Sequence, residues 1–480
     1  MKMRGRILIA ALLVVSLSVG CGQASQPSQS GRTQQAETTG QKAVSLVVTN
    51  GLVVTMDEAG RVIPGGAVAI DGADIVAVGT VDEIGRQFRG AETIDAAGQV
   101  IAPGLVNTHT HAPMVLYRGL ADDLALMEWL QKYIFPAEAK TVSPEFVRAG
   151  TRLAALEMIR SGTTTFADMY YFEEEIAKET KAAGLRAVLG QTVIQFPVAD
   201  AKTPQEALVR AGAFIEAFKD DPLITPAVAP HAMYTLDGPT LMAARNLAQR
   251  HGVPTLIHLA ETRDETRIAV ERGATSPVGY LDSLGFLGVG VLAAHGVWVS
   301  EADIATLVMR GVGVSHNPES NMKLASGTAP VPGYLVAGVA LGLGTDGAAS
   351  NNDLDMFEAM RMASLLHKLQ SGDPRAVGAQ TALEMATMGG ARALGMASTI
   401  GSLEPGKRAD VIVVDMNAAR QTPMYHPISH LVYTTHGDDV RTTIVHGRVL
   451  MRDGMVLTLD EPAVLREARA WADKVRAAVN

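Results

Sequence analysis

Eight short apolar segments, each followed by a longer stretch of helical character, fill the middle of this chain. The segments are QVIAPGLVNTH, TTTFADM, RAVLGQ, LITPAVAPH, PTLIHLAE, VLAAHG, GVGVSHN and VALGLGTD. Strands that alternate with helices favour a parallel sheet, because each helix forms the crossover between two neighbouring strands. Eight such units in series predict an α/β fold, a closed (β/α)8 barrel, over residues 103–407.

Polar residues lie at the end of each of these eight segments. In chain order they are His109 and His111, Asp168, Gln191, His231, His258 with Glu261, His295, His316 with Asn317, and Asp346. Six of the twelve histidines of the chain belong to this set. Histidines that serve only packing would also fall on helices and at the opposite face of the barrel. Because barrel enzymes carry their chemistry at the C-terminal ends of the strands, the distribution predicts an active site there.

Both ends of the folded region are rich in short β-like segments with Gly and Asp turns. SLVVTNGLVVTMD, GGAVAIDGADIVAVG and ETIDAAGQVIAPG come before the barrel, and GSLEPGKRADVIVVD and RTTIVHGRVLMRDGMVL come after it. We expect residues 44–102 and 408–457 to combine into one composite β-sandwich. Residues 458–480 have helical spacing and predict a C-terminal helix.

The first twenty residues have the pattern of a signal peptide. Three basic residues precede an apolar run over residues 7–19, which is too short to span a bilayer comfortably. Cys21, the only cysteine of the chain, directly follows Gly20, as in a bacterial lipobox, although Ser18 stands where Leu is more usual. An ordinary secretory signal that contains a cysteine is the alternative interpretation.

Residues 21–43 are polar and rich in Gln, Ser and Thr, which is typical of a disordered tether. Together with lipidation of Cys21, this predicts an exported bacterial lipoprotein, held at the periplasmic or extracellular face of a membrane only through its lipid anchor. A single cysteine excludes a disulfide within the chain. The net charge of −9 and the lack of a basic cluster argue against a nucleic-acid partner. The sequence leaves open whether the protein forms a homo-oligomer.

His109 and His111 are separated by one residue at the end of a buried strand, so their side chains point to the same side. Two imidazoles at this spacing are typical of metal ligands. With His258 and Asp346 they make a nitrogen and oxygen ligand set of the kind that holds a catalytic zinc with one open position. We expect one divalent metal, zinc or alternatively iron, which would lower the pKa of a bound water to about 7.

Glu261 follows His258 by three residues, and a carboxylate beside a metal-bound water is a natural general acid and base. The alternative is an acidic residue that stabilises the start of the next helix. Asp346 is predicted to take the proton of the water in addition to binding the metal. His295 is predicted to hydrogen-bond the hydroxide and orient it.

The remaining strand-end residues have less defined interpretations. His231 is predicted to contact substrate, with a histidine bonded to the backbone as the alternative. His316 is interpreted as structural or as a residue behind the site. The role of Asp168 is left open.

Seven motifs together resemble the amidohydrolase superfamily, and more narrowly its 5-methylthioadenosine/S-adenosylhomocysteine deaminase and chlorohydrolase branch. They are PGLVNTHTH, RGLADDL, SGTTTFADMY, HLAET, SHNPESNMKLASG, LGTDGAASNN and GSLEPGKRADVIVVD. The resemblance covers residues 45–457. It implies a barrel that carries one divalent metal, usually zinc, beside a composite β-sandwich.

The resemblance also implies a role for each site residue. The metal ligands would be His109, His111, His258 and Asp346. Glu261 would move a proton to the ring nitrogen, His295 would orient the hydroxide and His231 would contact substrate. Glu138, in FPAEAK, would bind the ribose hydroxyls.

One position departs from the pattern of the family. Deaminases that accept S-adenosylhomocysteine carry an arginine at the end of the third strand, where this chain has Gln191 followed by the apolar TVIQFPV. We expect Gln191 to contact substrate there. The predicted activity is hydrolytic deamination of an adenine-nucleoside-type small molecule. The alternatives are another aminated or halogenated heterocycle, such as a guanine, pterin or triazine, and a non-catalytic exported binding lipoprotein.

Overall fold

The computed structural model describes residues 40–479. The predicted signal peptide, Cys21 and residues 22–39 of the predicted tether lie outside the described residues. Within residues 40–479, no helix has both the length and the apolar character that a membrane span requires.

Seventeen strands run through the described residues. They are β1 (Lys42–Val54), β2 (Val62–Asp71), β3 (Asp74–Thr80), β4 (Phe88–Asp95), β5 (Gln99–Pro103), β6 (Leu105–Thr110), β7 (Thr163–Tyr170), β8 (Arg186–Val193), β9 (Ile224–Pro230), β10 (Thr255–Leu259), β11 (Val291–His295), β12 (Gly313–His316), β13 (Ala340–Leu343), β14 (Val411–Asp415), β15 (Val440–Val445), β16 (Arg448–Arg452) and β17 (Met455–Val456).

Seventeen α-helices lie in the same region, joined by shorter 3₁₀ and π turns. They are α1 (Val81–Gln87), α2 (Leu126–Trp129), α3 (Phe135–Thr141), α4 (Pro144–Arg160), α5 (Glu173–Ala183), α6 (Pro204–Phe218), α7 (Gly238–His251), α8 (Arg263–Glu271), α9 (Pro277–Ser283), α10 (Glu301–Arg310), α11 (Pro318–Lys323), α12 (Val331–Ala337), α13 (Met356–Ser371), α14 (Ala379–Glu384), α15 (Gly390–Ala393), α16 (Pro427–Tyr433) and α17 (Glu461–Val479).

Strands β6 to β13 close into an eight-stranded parallel barrel, with helices in the connections, which confirms the predicted fold. The first predicted strand, QVIAPGLVNTH, is divided at Gly104, and this is a correction. Its first half is β5, which pairs with β14 outside the barrel, and only its second half, β6, is a barrel strand. Gly104 is required at the division because a Cβ there would lie 2.1 Å from the Thr164 hydroxyl oxygen.

The two β-rich ends of the chain form one connected sheet of nine strands beside the barrel. Its order is β17-β16-β15-β14-β5-β1-β2-β3, with β4 paired to β1. The antiparallel pair β5 and β14 joins the N-terminal strands to the C-terminal ones. Buried apolar side chains from both ends form its core, among them Val48, Val68, Ile101, Val411 and Ile444.

Strand β1 begins at Lys42, inside the predicted tether. Lys42 and Ala43 pair with Phe88 and Arg89 of β4, so residues 42 and 43 belong to the sheet. The polar composition of residues 21–43 gave no signal for this pairing, because the partner strand lies more than forty residues further along the chain.

Candidate active site

Five of the predicted side chains meet at the carboxyl end of the barrel. His109 belongs to β6, His111 follows its last residue, His258 belongs to β10, His295 ends β11, and Asp346 lies three residues beyond β13. His295 and Asp346 adopt positive φ angles of 75° and 65°. Such backbone conformations are costly for residues other than glycine and cluster at functional sites.

The facing atoms of the four predicted metal ligands are a few ångströms apart. Asp346 Oδ1 is 3.3 Å from both His109 Nε2 and His111 Nε2, and His258 Nε2 is 3.3 Å from His111 Nε2. His109 Nε2 is buried and makes no hydrogen bond. A buried polar atom without a partner is unfavourable, and a ligand at the centre of the group would remove this cost.

Hydrogen bonds on the far side of two imidazoles fix which nitrogen faces the centre. His111 Nδ1 lies 2.7 Å from the Met169 carbonyl oxygen, and His258 Nδ1 lies 2.8 Å from the His231 carbonyl oxygen. Because a carbonyl oxygen only accepts, each Nδ1 carries the proton and each Nε2 directs a lone pair at the centre. This arrangement of imidazole nitrogens with one carboxylate fits a divalent metal such as zinc.

Three of the four predicted ligands have the protonation state that a metal cation requires. Burial lowers the pKa of His109 to about 4 and that of His258 well below its usual value, so both are neutral near pH 7. Burial opposes ionisation of Asp346, but the nearby imidazoles of His109 and His111 outweigh it and hold the pKa of this carboxyl well below its usual range. Burial disfavours charge on His111 too, yet without a metal the Asp346 carboxylate raises its pKa to about 9, so a metal ion that binds His111 would have to displace a proton.

Glu261 lies two residues beyond β10, at the edge of this group. Its Oε1 accepts a hydrogen bond from Ser326 Oγ at 3.2 Å, and its Oε2 lies 3.7 Å from His295 Nε2. Burial raises the pKa of Glu261, which favours a carboxyl that can hold and release a proton. The alternative role at the start of helix α8 is filled by Glu265, whose carboxylate accepts from the backbone N–H of Glu261 at 2.7 Å.

His295 and His231 face the same space. His295 Nδ1 lies 2.9 Å from Asn321 Oδ1, closer than the Asn317 amide nitrogen at 3.3 Å. With the proton on Nδ1 for the closer contact, Nε2, 4.0 Å from Asp346 Oδ2, can accept a hydrogen bond from water. His231 Nδ1 is hydrogen-bonded to Thr235 Oγ1 at 2.9 Å. The ring of His231 lines the cavity described next.

A cavity with about 580 Å³ of empty space opens beside these residues. Twenty described residues line it, and none of them is Lys or Arg. His111, His258 and Glu261 lie on its wall together with apolar side chains that include Trp129 and Phe135. Its lining combines apolar side chains with a few polar groups, as small-molecule sites do, and offers no lysine or arginine to pair with a substrate carboxylate.

The sequence profile of the amidohydrolase family matches residues 100–450, most of the chain. The chain belongs to the amidohydrolase family. A 5-methylthioadenosine/S-adenosylhomocysteine deaminase of Syntrophobacter fumaroxidans is 48% identical over 437 residues, which cover 91% of this chain and 100% of the relative. A 5'-deoxyadenosine deaminase of Methanosarcina mazei is 46% identical over 438 residues, 91% of this chain and 99% of the relative.

A solved structure has the same fold. The crystal structure of an adenosine deaminase from Xanthomonas campestris with bound zinc superposes on this amidohydrolase with a TM-score of 0.89 and 40% sequence identity. The match covers 91% of this chain and 100% of that one. Zinc bound to a relative this similar agrees with the donor set formed by His109, His111, His258 and Asp346.

Glu138, which the resemblance proposed for ribose binding, lies on helix α3 of this amidohydrolase and lines the cavity. Its Oε1 accepts a hydrogen bond from the Tyr170 hydroxyl at 2.7 Å. Burial raises the pKa of Glu138 to about 7, against the opposing effect of the Tyr170 bond. Without the resemblance, the sequence would make Glu138 an acidic residue on the surface of a helix. Its burial depends on contacts with residues far away in the sequence, such as Tyr170.

The assignment of Gln191 as a substrate contact stays a prediction, and Gln191 does not lie among the residues that line the cavity. Its side-chain amide donates to Asp200 Oδ2 at 2.9 Å, and the next residue, Thr192, lines the cavity instead. The physical reason is the alternation of a strand, which turns consecutive side chains of β8 to opposite faces.

The two residues whose roles were less defined lie behind the site. Asp168 Oδ1 accepts hydrogen bonds from Thr110 Oγ1, at 2.7 Å, and from the backbone N–H of Ala112, which brackets His111 on both sides. His316 Nε2 lies 3.0 Å from His367 Nε2 in the barrel wall. Asp168 therefore stabilises the backbone on both sides of His111, a predicted metal ligand, and His316 has a structural partner.

Sequence reasoning missed the serine and asparagine side chains that hold the reactive groups. Ser320 Oγ donates to Asp346 Oδ2 at 2.7 Å, Asn321 accepts from His295, and Ser326 donates to Glu261. All three belong to the motif SHNPESNMKLASG, which marked the family but gave no partner for any one residue.

Proposed function

We propose that this amidohydrolase catalyses the hydrolytic deamination of an adenine nucleoside whose 5′ substituent is uncharged. The observation that carries the proposal is the cavity itself. Its wall includes three of the four predicted metal ligands, His111, His258 and Asp346, together with Glu261 and Glu138, and it contains no lysine or arginine. The relatives named as deaminases of methylthioadenosine, S-adenosylhomocysteine and 5'-deoxyadenosine support the adenine ring as the reacting group.

The chain supplies the proton transfers of this reaction. A zinc ion held by His109, His111, His258 and Asp346 would act as a Lewis acid that makes water nucleophilic near pH 7. His295 Nε2 accepts a hydrogen bond from the attacking water and orients it, and Asp346 accepts the proton that the water loses. Water adds to the carbon that bears the amino group, and Asp346 passes the proton that it took to the amino group, which leaves as ammonia. The added hydroxyl loses its proton to the Glu261 carboxylate, which has protonated the ring nitrogen, so that adenine becomes hypoxanthine.

Glu261 completes the proton balance. Its carboxyl donates a proton to the ring nitrogen next to the attacked carbon, and burial raises the pKa of Glu261 in the direction that this donation needs. Glu138, on another part of the cavity wall, has oxygens that accept from the vicinal ribose hydroxyls. Glu261 therefore acts at the adenine ring, and Glu138 binds the ribose.

The lining predicts a preference among adenine nucleosides. Adenosine, 5′-deoxyadenosine and methylthioadenosine should be deaminated with a higher kcat/KM than S-adenosylhomocysteine. The missing charge-assisted bond to the amino-acid carboxylate is worth about 1.5–3 kcal/mol, or roughly tenfold to a hundredfold. The measurement is the fall in ultraviolet absorbance as adenine becomes hypoxanthine, with ammonia release as a second readout.

Three outcomes would contradict this proposal. A preference for S-adenosylhomocysteine would mean that a cation outside the cavity lining binds its carboxylate. Turnover of a guanine, pterin or triazine with none of any adenine nucleoside would favour the other heterocycles. Tight nucleoside binding without ammonia release would favour a binding lipoprotein, although a receptor has no use for the proton-donating Glu261.

We further propose that the protein is exported and anchored through a lipid on Cys21. The basic residues near the start of the chain, the apolar run over residues 7–19 and the small residue before Cys21 support this. In its host, the wild-type chain should partition with membranes, and Cys21→Ser should either block maturation or release a soluble form. Fractionation with N-terminal sequencing tests this, and a full-length chain in the cytosol that begins at Met1 would contradict it.

A further inference from the structure

Tyr170 and Glu138 meet in the cavity wall although they come from different layers of the fold. Tyr170 is the last residue of barrel strand β7, and Glu138 lies on helix α3, which contributes Phe135 and Glu138 to the cavity wall. The phenol donates to Glu138 Oε1 over 2.7 Å, and both side chains are buried and line the cavity. This bond ties a carboxylate on a short helix to the rigid barrel.

We propose that Tyr170 is a positioning residue, which holds the Glu138 carboxylate in the orientation that accepts the vicinal hydroxyls of a ribose. The inference rests on the proposed function, since it concerns the sugar end of an adenine nucleoside. An ionised carboxylate has about four lone-pair sites, so the Tyr170 bond occupies one and leaves others for substrate. Without that bond, the Glu138 side chain would have to lose rotamer freedom when substrate binds.

The surroundings of Glu138 show why a fixed donor matters. Burial favours the protonated form of this carboxyl, and a protonated oxygen can no longer accept from a hydroxyl. The hydrogen bond from Tyr170 lowers the pKa of Glu138 and so acts against burial, and His111 lowers this pKa to a smaller extent. Tyr117 and Tyr171 also lie near the carboxylate, but the structure gives neither of them a hydrogen bond to it. Tyr170 is therefore the one described side chain that donates to Glu138.

The test is the substitution Tyr170→Phe, assayed with adenosine and with 2′,3′-dideoxyadenosine. The KM for adenosine should rise about tenfold, the scale of one lost hydrogen bond to a charged group, while kcat changes little. The KM for dideoxyadenosine should stay unchanged, because this substrate has no hydroxyls for Glu138 to accept. Retained turnover of dideoxyadenosine also shows that the variant is folded and holds its metal.

Tyr117→Phe is the matched control. Its hydroxyl hydrogen-bonds Thr141 Oγ1, on the same helix as Glu138, at 2.6 Å, yet Tyr117 does not line the cavity. This variant should leave the ratio of the two KM values as in the wild type. A purely structural contribution of a buried tyrosine to helix α3 would appear in both variants.

A double-mutant comparison supplies the second readout. In a Glu138→Ala background, which removes the acceptor of the Tyr170 hydroxyl, Tyr170→Phe should add little further loss on adenosine, because two residues that act as one unit are not additive. Equal losses on both substrates, an unchanged KM for adenosine, or full additivity with Glu138→Ala would each overturn the role of Tyr170. A wild-type enzyme that deaminates no adenine nucleoside would instead refute the proposed function.

Discussion

Replacing His109 and His111 together by alanine is expected to remove the bound metal and abolish turnover. The two Nε2 atoms lie 3.3 Å from one carboxylate oxygen of Asp346, so the substitution takes away two of the four ligands at once. Elemental analysis should find about one zinc or iron per wild-type chain and close to none in the variant. Ammonia release should fall to background in the same preparation.

A surface histidine supplies the control for this experiment. His251, exposed at the end of helix α7, carries no predicted role, and His251→Ala should retain both metal and activity. Thermal unfolding of the double variant separates a lost metal from a lost fold, since the apo wild type should unfold at a similar temperature. Full turnover by metal-free protein would contradict the assignment of the four ligands.

Glu261→Gln is expected to keep the metal and the fold but to lower kcat by roughly 10²-fold or more, the scale of a positioned general acid and base. Glutamine has nearly the same shape as glutamate and can still bond Ser326, yet it cannot deliver a proton to the ring nitrogen. The measurement is kcat for adenosine in protein of known metal content.

Glu271→Gln is the matched control, because Glu271 is an exposed carboxylate on helix α8, a few residues beyond Glu261. It should leave kcat as in the wild type. Near-normal turnover by metal-loaded Glu261→Gln would show that another group delivers the proton. The carboxylate would then have only its hydrogen bond with Ser326 to explain its position.

These two variants and the substrate series address different parts of one site. The His109 and His111 double variant tests metal binding, and Glu261→Gln tests proton transfer to the ring nitrogen. The comparison with S-adenosylhomocysteine tests the lack of lysine and arginine in the cavity lining. Because each change acts on a separate quantity, namely metal content, kcat or relative kcat/KM, the failure of one does not obscure the others.

The sequence by itself determined the barrel, and it predicted four metal ligands whose side chains the structure brings close together. Strand and helix periodicities are local, so eight apolar segments separated by helices were visible without any contact information. The i and i+2 spacing of His109 and His111 is equally local, and strand order alone predicted that His258 and Asp346 would end at the same face. The resemblance then gave Glu138 a role that periodicity would not have suggested.

Only the tertiary structure decided which side chains meet. Gly104 divides one apolar run between two sheets because β5 finds its partner in β14, some three hundred residues away. Thr192 lines the cavity and Gln191 does not, because consecutive side chains of β8 face opposite sides. Tyr170 of β7 bonds Glu138 of α3, and the two elements are separate in the sequence. Contacts of this kind depend on how segments far apart in the sequence pack together. The free energy of packing two segments cannot be derived from the local residue pattern of either one.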